Sequence, residues 1–157
     1  MEHRDGVATI SREVAAPREA VWDVLADGWL YPTWVVGASR VRSVDQEWPA
    51  VGACIRHSVG LWPALINDRT EVLHMSALVE LTLKARAWPA GDAHVVITIS
   101  PRGENACTVH IEEDAASGPG ALIPQPLRQL GIGQRNTETL TRLAFLAEGR
   151  YRDRSAR

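Results

Sequence analysis

The 157-residue sequence has no apolar run near the ~20 residues that a membrane-spanning helix requires. Its first six residues lack the apolar stretch of a secretory signal, so a cytosolic protein is the default expectation. Only two cysteines occur, Cys54 and Cys107, with neither a C-x-x-C nor a Cys/His ligand spacing. No metal site is expected, and both thiols fall within strand patterns as small apolar residues. Lysine occurs once, at Lys84, in a chain rich in arginine and alanine, which reads as genome composition. A formal net charge of −2 supplies no overall basic field for a phosphate backbone, so no nucleic-acid partner is expected. The G-x-S-x-G, H-E-x-x-H and P-loop motifs are missing as well. Gly131 and Gly133 lie in a predicted helix and lack the third glycine of a dinucleotide loop. No cofactor is expected.

What remains is an ordinary globular composition, 45% hydrophobic and 23% charged, at the usual length of one domain. A single domain over residues 1–157 is expected, with its ordered core at about 7–149. Residues 8–15 alternate, with Ile10 and Val14 on one side, which predicts a half-buried strand. Pro17 opens a helix whose apolar stripe is Val21, Trp22 and Leu25 and which ends at Gly28. A second short helix is expected over 29–34. From 40 to about 115 the chain reads as six strands. The clearest sets Val79, Leu81, Leu83, Ala85 and Ala87 against Glu80, Thr82, Lys84 and Arg86. Val95, Ile97 and Ile99 form the next row, and Cys107, Val109 and Ile111 the last; the facing of 68–75 is mixed. Turn chemistry sits at 89–92 and 102–105. A final helix is predicted over 127–148, stopped by Gly149, with the arginines beyond it (Arg150, Arg152, Arg154, Arg157) as a solvated, frayed tail. Strands joined by short links, with helices segregated to one face, give an α+β fold built on a curved antiparallel sheet.

The final helix also argues for a cavity. Its second half carries Leu140, Leu143, Ala144 and Ala147 at helical spacing. The same face traced backwards reaches Asn136, Thr137 and Gly133, small or polar where a close-packed helix presents Leu or Ile. Small residues opposite an apolar sheet leave volume for loops, water or a ligand. The alternative is that Leu127, Leu130 and the loop 118–123 fill it.

The spacing of Ile10, Val14, Ala16, Pro17, Val21 and Trp22 resembles the opening of START/polyketide-cyclase-like, Bet v 1-like (SRPBCC) helix-grip proteins. Asp27, the segment Trp34 to Gly37, Val51-Gly52, and the run from His57 through Trp62-Pro63 continue the likeness. Glu112 to Asp114, Ser117 to Pro119 and Arg135-Asn136 complete it, over about residues 8–148. The resemblance implies a seven-stranded sheet gripping the C-terminal helix, two short helices between the first two strands, and a ligand cavity. Its members include lipid and hormone carriers, cyclases and aromatases, and protein-binding domains, so no catalytic set transfers.

From the residues themselves, Arg12 shares a phase with Ile10 and Val14, and Glu113 with Val109 and Ile111. In a helix-grip topology those strands are neighbours, so an ion pair at the cavity wall is expected, or else two strand-end charges reaching solvent. His57 lies in phase with Ile55 and Val59 and is nominated as a ligand contact or proton shuttle, the alternative being a satisfied core histidine. Catalytic candidates are thus His57, Glu113 and Arg12. Trp34, Trp62 and Trp88 are placed to rim a pocket or to pack ordinarily. The expected ligand contacts are Trp34, His57, Trp62, Leu81, Leu83, Val95, Ile97, Val109, Gly133, Asn136, Thr137 and Leu140. The leading expectation is a carrier for a hydrophobic or aromatic small molecule. The alternatives are a cyclase, aromatase or dehydratase, and a protein-interaction module.

Overall fold

Alternating apolar positions close this chain into one sheet, because a strand whose every second side chain is apolar must cover that face. The computed structural model describes residues 7–60, 62–86 and 91–157. Strand β1 (Thr9–Val14) is followed by helix α1 (Arg18–Ala26), a single 3-10 turn at Gly28–Leu30 and helix α2 (Tyr31–Trp34). Strands β2 (Ala38–Val44), β3 (Cys54–Val59), β4 (Ile66–Ser76), β5 (Glu80–Arg86), β6 (Asp92–Pro101) and β7 (Cys107–Ala115) then precede α3 (Gln125–Ser155). The sheet is antiparallel throughout, in the order β1-β7-β6-β5-β4-β3-β2. Strand β1 therefore closes onto β7, and β2 forms the far edge. The second expected helix divides in two because the Asp27 side chain accepts a hydrogen bond from the Trp29 backbone N–H at 3.2 Å, capping the 3-10 turn.

The mixed facing of β4 has a local cause. Its pairing with β5 shifts register between Val72 and His74, so Val72 is buried while Leu73 and His74 turn outward. The two-residue period is interrupted there. Trp88 and the turn residues Pro89 and Ala90 lie outside the described residues.

Helix α3 corrects two expectations. It starts at Gln125, and it runs through Gly149 to Ser155 instead of stopping at 148. The tail is held: the Tyr151 hydroxyl donates to Asn105 Oδ1 at 2.9 Å, and Arg154 meets Asp23 of α1 at 2.7 Å. Glycine ends a helix when the next residues gain by leaving it, and here they gain by staying. A Cβ at Gly149 would meet nothing within 4 Å. Gly149→Ala should therefore raise unfolding stability by about 0.5–1 kcal/mol, read as a higher urea midpoint at unchanged slope.

The core lies where α3 and α1 cover the sheet. Leu140, Leu143, Ala144 and Ala147 of α3 pack with Val21, Val24 and Leu25 of α1 against Ile97, Ile99, Val109 and Ile111. Cys54 and Cys107 are buried free thiols. Burial pushes the Cys107 thiol up to about 11, which keeps it protonated at neutral pH.

Candidate functional site

The first half of α3 does not fill the space above the sheet. Asn136 and Thr139 occupy its buried face where the second half places leucines. Leu122, Leu127 and Leu130, the alternative fillers, are all strongly exposed. The result is a cavity of about 110 Å3 available to the centres of water molecules, well above the ~10–15 Å3 that one water occupies by that measure. Its floor is Leu83, Ala85, Ala93, Val95, Ile97 and Ile111 of β5, β6 and β7. Trp34 and Tyr31 of α2 and His57 of β3 form one side wall; Asn136, Thr139 and Arg135 of α3 form the roof.

A chain of polar groups runs into that wall. Thr70 Oγ1 lies 2.9 Å from Tyr31 Oη and 2.9 Å from His57 Nε2. Both rings sit close together, 5.1 Å between centroids, and Tyr31 meets Trp34 edge-on at 5.5 Å. Burial raises the Tyr31 hydroxyl to about 12, so it is protonated at neutral pH. Burial lowers the His57 imidazole below its ordinary range; Asp68 opposes that shift and Arg42 adds to it. The unfolded imidazole binds its proton first as pH falls, so the stability of a neutral buried His57, complete above ~6.5, declines toward its lower folded value. His57→Gln should remove this acid-side loss. Comparing urea midpoints of the two proteins at pH 7 and pH 5 checks it: the gap between the wild-type values should exceed that of the variant.

The expected pairing of Arg12 with Glu113 is not formed. Strand register places Arg12 opposite Val109, four residues from Glu113 and roughly 13 Å along the strand. Arg12 instead donates to Thr141 Oγ1 at 3.2 Å and lies over the Phe145 ring, 5.5 Å from its centroid. Glu113, buried at the cavity, pairs with Arg135 of α3. The phase of each residue was readable, but phase sets a face and not a partner.

Of the nominated contacts, Trp34, His57, Leu83, Val95, Ile97 and Asn136 line the cavity. Leu81, Val109 and Leu140 are buried in the core beside it. Gly133 faces β1, where a Cβ would stand 3.7 Å from Ile10 Cδ1, and the Thr137 hydroxyl bonds back to the Gly133 carbonyl. Thr139, two residues and about 200° further round the helix, faces the cavity in place of Thr137. Trp62 is 84% exposed and is not among the residues that line the cavity. Tyr31, Thr70 and Arg135 went unnominated. Thr70 was findable, since Asp68, Thr70 and Val72 alternate in one phase up to the bulge. Among the described residues, no group of three His, Cys, Asp or Glu is arranged to hold a metal ion, and no helix is long and apolar enough to cross a membrane.

The sequence profile of the family described as polyketide cyclase/dehydrase and lipid transport matches residues 6–148. The chain belongs to this family. Solved structures agree on the polyketide cyclase/dehydrase and lipid transport fold. A protein from Nitrosomonas europaea superposes with a TM-score of 0.70 at 18% identity, covering 94% of this chain and 98% of its own. A START superfamily protein from Mycobacterium smegmatis gives 0.65 at 18% identity, over 94% and 97%. The Zhui aromatase/cyclase from Streptomyces sp. R1128 gives 0.67 at 16% identity, over 92% and 94%. Among curated proteins, none matches significantly. At these identities the superpositions establish the family's fold, while the site's chemistry rests on its own residues.

Proposed function

We propose that this protein binds a hydrophobic or aromatic small molecule in the cavity between the sheet and α3. The observation that carries the reading is the unfilled space itself, with an aliphatic floor and a few polar groups on its wall and roof. Pockets that take apolar ligands have this composition, because desolvation supplies the affinity and the polar groups fix orientation. The family's range, from lipid transport to cyclisation, supports the same substrate chemistry.

Ala85 and Ala93 lie opposite each other on β5 and β6 and both face the cavity. Replacing both with Leu should fill it. Binding of a hydrophobic fluorescent probe should then be lost, while stability stays level or rises by about 0.5–2 kcal/mol. Retained binding in a folded double variant would place the ligand elsewhere.

A cyclase, aromatase or dehydratase is the second reading, favoured by the hydroxyl chain from Tyr31 through Thr70 to His57 at the cavity wall. An imidazole so placed can exchange a proton with a bound carbonyl compound. Under this reading His57→Gln costs about 10²–10⁴-fold in rate while binding survives. Under the carrier reading the same change lowers affinity by about 0.5–1.5 kcal/mol.

A further inference from the structure

A buried carboxylate with unused lone pairs stands at the cavity. Glu113 is 5% exposed and lines the space beside its aliphatic floor. Its backbone is tied to α3, because the Glu113 carbonyl accepts a hydrogen bond from Gln129 Nε2 at 3.0 Å. An ionised carboxylate offers about four acceptor positions and no donor. Among the described residues the side chain meets one partner, the Arg135 guanidinium, which engages Oε1. Most of its accepting capacity is therefore unspent, and buried acceptors without donors cost free energy.

Unpaired side-chain atoms in the interior are of two kinds. Arg12 Nε, Trp34 Nε1 and His57 Nδ1 are sealed even from water. Glu113 Oε2 and the Asn136 amide lack a protein partner among the described residues but are not sealed, and both residues line the cavity. Charge at the site is already balanced: Arg135 offsets Glu113, and Arg86, the other cation at the cavity, lies 4.0 Å from Asp92. A carboxylate ligand would set a second negative charge beside Glu113 over an apolar floor. An ammonium would compete with Arg135 for a single carboxylate. A neutral ligand disturbs neither pair, and what it can give Glu113 is a hydrogen. Ether and ketone oxygens bring none; a hydroxyl does, and a hydrogen bond to an ionised acceptor is about twice as strong as a neutral one.

We infer that Glu113 accepts a hydrogen bond from the hydroxyl group of a neutral, otherwise apolar ligand of the phenol class, so that the cavity distinguishes a hydroxyl from its methyl ether. Phenols are preferred to aliphatic alcohols because the more acidic O–H donates more strongly. Asn136 cannot make the same distinction, since an amide offers both a donor and an acceptor. This inference rests on the cavity being a binding site, and it names the ligand group the cavity reads.

Two probes separate the questions: 2-naphthol, a phenol and so neutral at about pH 7, and 2-methoxynaphthalene, which keeps the oxygen and lacks the hydrogen. In calorimetric titrations, the affinity ratio of naphthol to ether should fall about tenfold from wild type to Glu113→Gln, because a charged acceptor is replaced by a neutral one. Comparing ratios between proteins cancels the difference in shape between the probes. In the wild type, the carbon-13 carboxyl resonance of Glu113 should shift with naphthol and stay in place with the ether. Asn136→Ala should weaken both probes and keep the ratio. A ratio unchanged in Glu113→Gln, or one that collapses in Asn136→Ala instead, would overturn the inference while leaving the cavity reading intact. Failure of both probes to bind would overturn both. Should Glu113→Gln not fold, the wild-type carboxyl resonance decides alone.

Discussion

Gly91→Ala should lower unfolding stability by about 3 kcal/mol or more, the largest loss expected from adding a single methyl group to this chain. Gly91 has φ +108°, and a Cβ there would lie 1.9 Å from the Ser117 carbonyl oxygen and 2.8 Å from the Gly118 Cα. Those are backbone atoms, so no side-chain rotation relieves the overlap. The neighbourhood is fixed as well: Asp92 N–H donates to the Ser117 carbonyl at 3.3 Å, and Ala116 N–H to the Asp92 carbonyl at 2.7 Å. Making room means separating the start of β6 from the segment that leads into α3, beside the cavity floor. Gly103 supplies the control, having φ +69° and nothing within 4 Å of a Cβ. Gly103→Ala carries only the left-handed backbone penalty, roughly 1–2 kcal/mol. Urea unfolding of both variants should rank them in that order, and equal losses would mean that close approach at Gly91 contributes nothing.

Arg135→Met should cost about 3 kcal/mol, and Glu113→Gln about 1 kcal/mol or less. The asymmetry comes from depth. The Glu113 side chain is 6% exposed and that of Arg135 is 41%. Removing the arginine strands a buried carboxylate beside an apolar floor, where charge is poorly solvated. Removing the carboxylate charge leaves a guanidinium that can turn to water, while the glutamine still offers an oxygen to it. The lower end of the usual 3–5 kcal/mol applies because the cavity itself admits water. Chemical denaturation at pH 7 gives both numbers. Equal losses below about 1 kcal/mol would show that the pair is solvated and leaves the cavity wall unaffected.

The sheet was legible because its central strands are regular. Leu81 and Leu83, Val95 and Ile97, and Val109 and Ile111 each hold one face without interruption, and all six proved inward. The cavity was legible in outline from the change along α3, from leucine at 140 and 143 to asparagine at 136. Its chemistry was less so. Alternation tells which face a side chain takes but not which residue stands opposite, and so Arg12 was matched to Glu113 across a register that pairs it with Val109. Thr70 keeps phase with Asp68 and Val72, but the bulge after Val72 gives the strand as a whole a mixed facing, and Tyr31 sits in a helix only four residues long, too short to show a period. Gly133 and Thr137 were drawn from a helical face one residue too wide. Trp62 follows β3 closely enough in sequence to suggest a rim, yet the chain carries it out to solvent.

The irregular pairing of β2 bears on how copies of this chain meet one another. An open sheet ends in strands whose outer N–H and C=O groups can recruit another strand, which is how edge-to-edge polymers begin. Here β2 pairs with β3 through two register shifts, between Ala38 and Arg40 and between Val41 and Ser43. A strand interrupted twice in seven residues presents no straight run of free groups for a neighbour to match. Arg40 and Arg42 add positive charge along that edge, which two identical copies would have to bring together. Arg42 also turns its guanidinium inward onto the carbonyls of His57 and Asp68. The far edge of the sheet is thereby kept from growing by addition of its own kind, and this protection is supplied by the strand beside His57, with none of the cavity residues on β5, β6 or β7 given up for it.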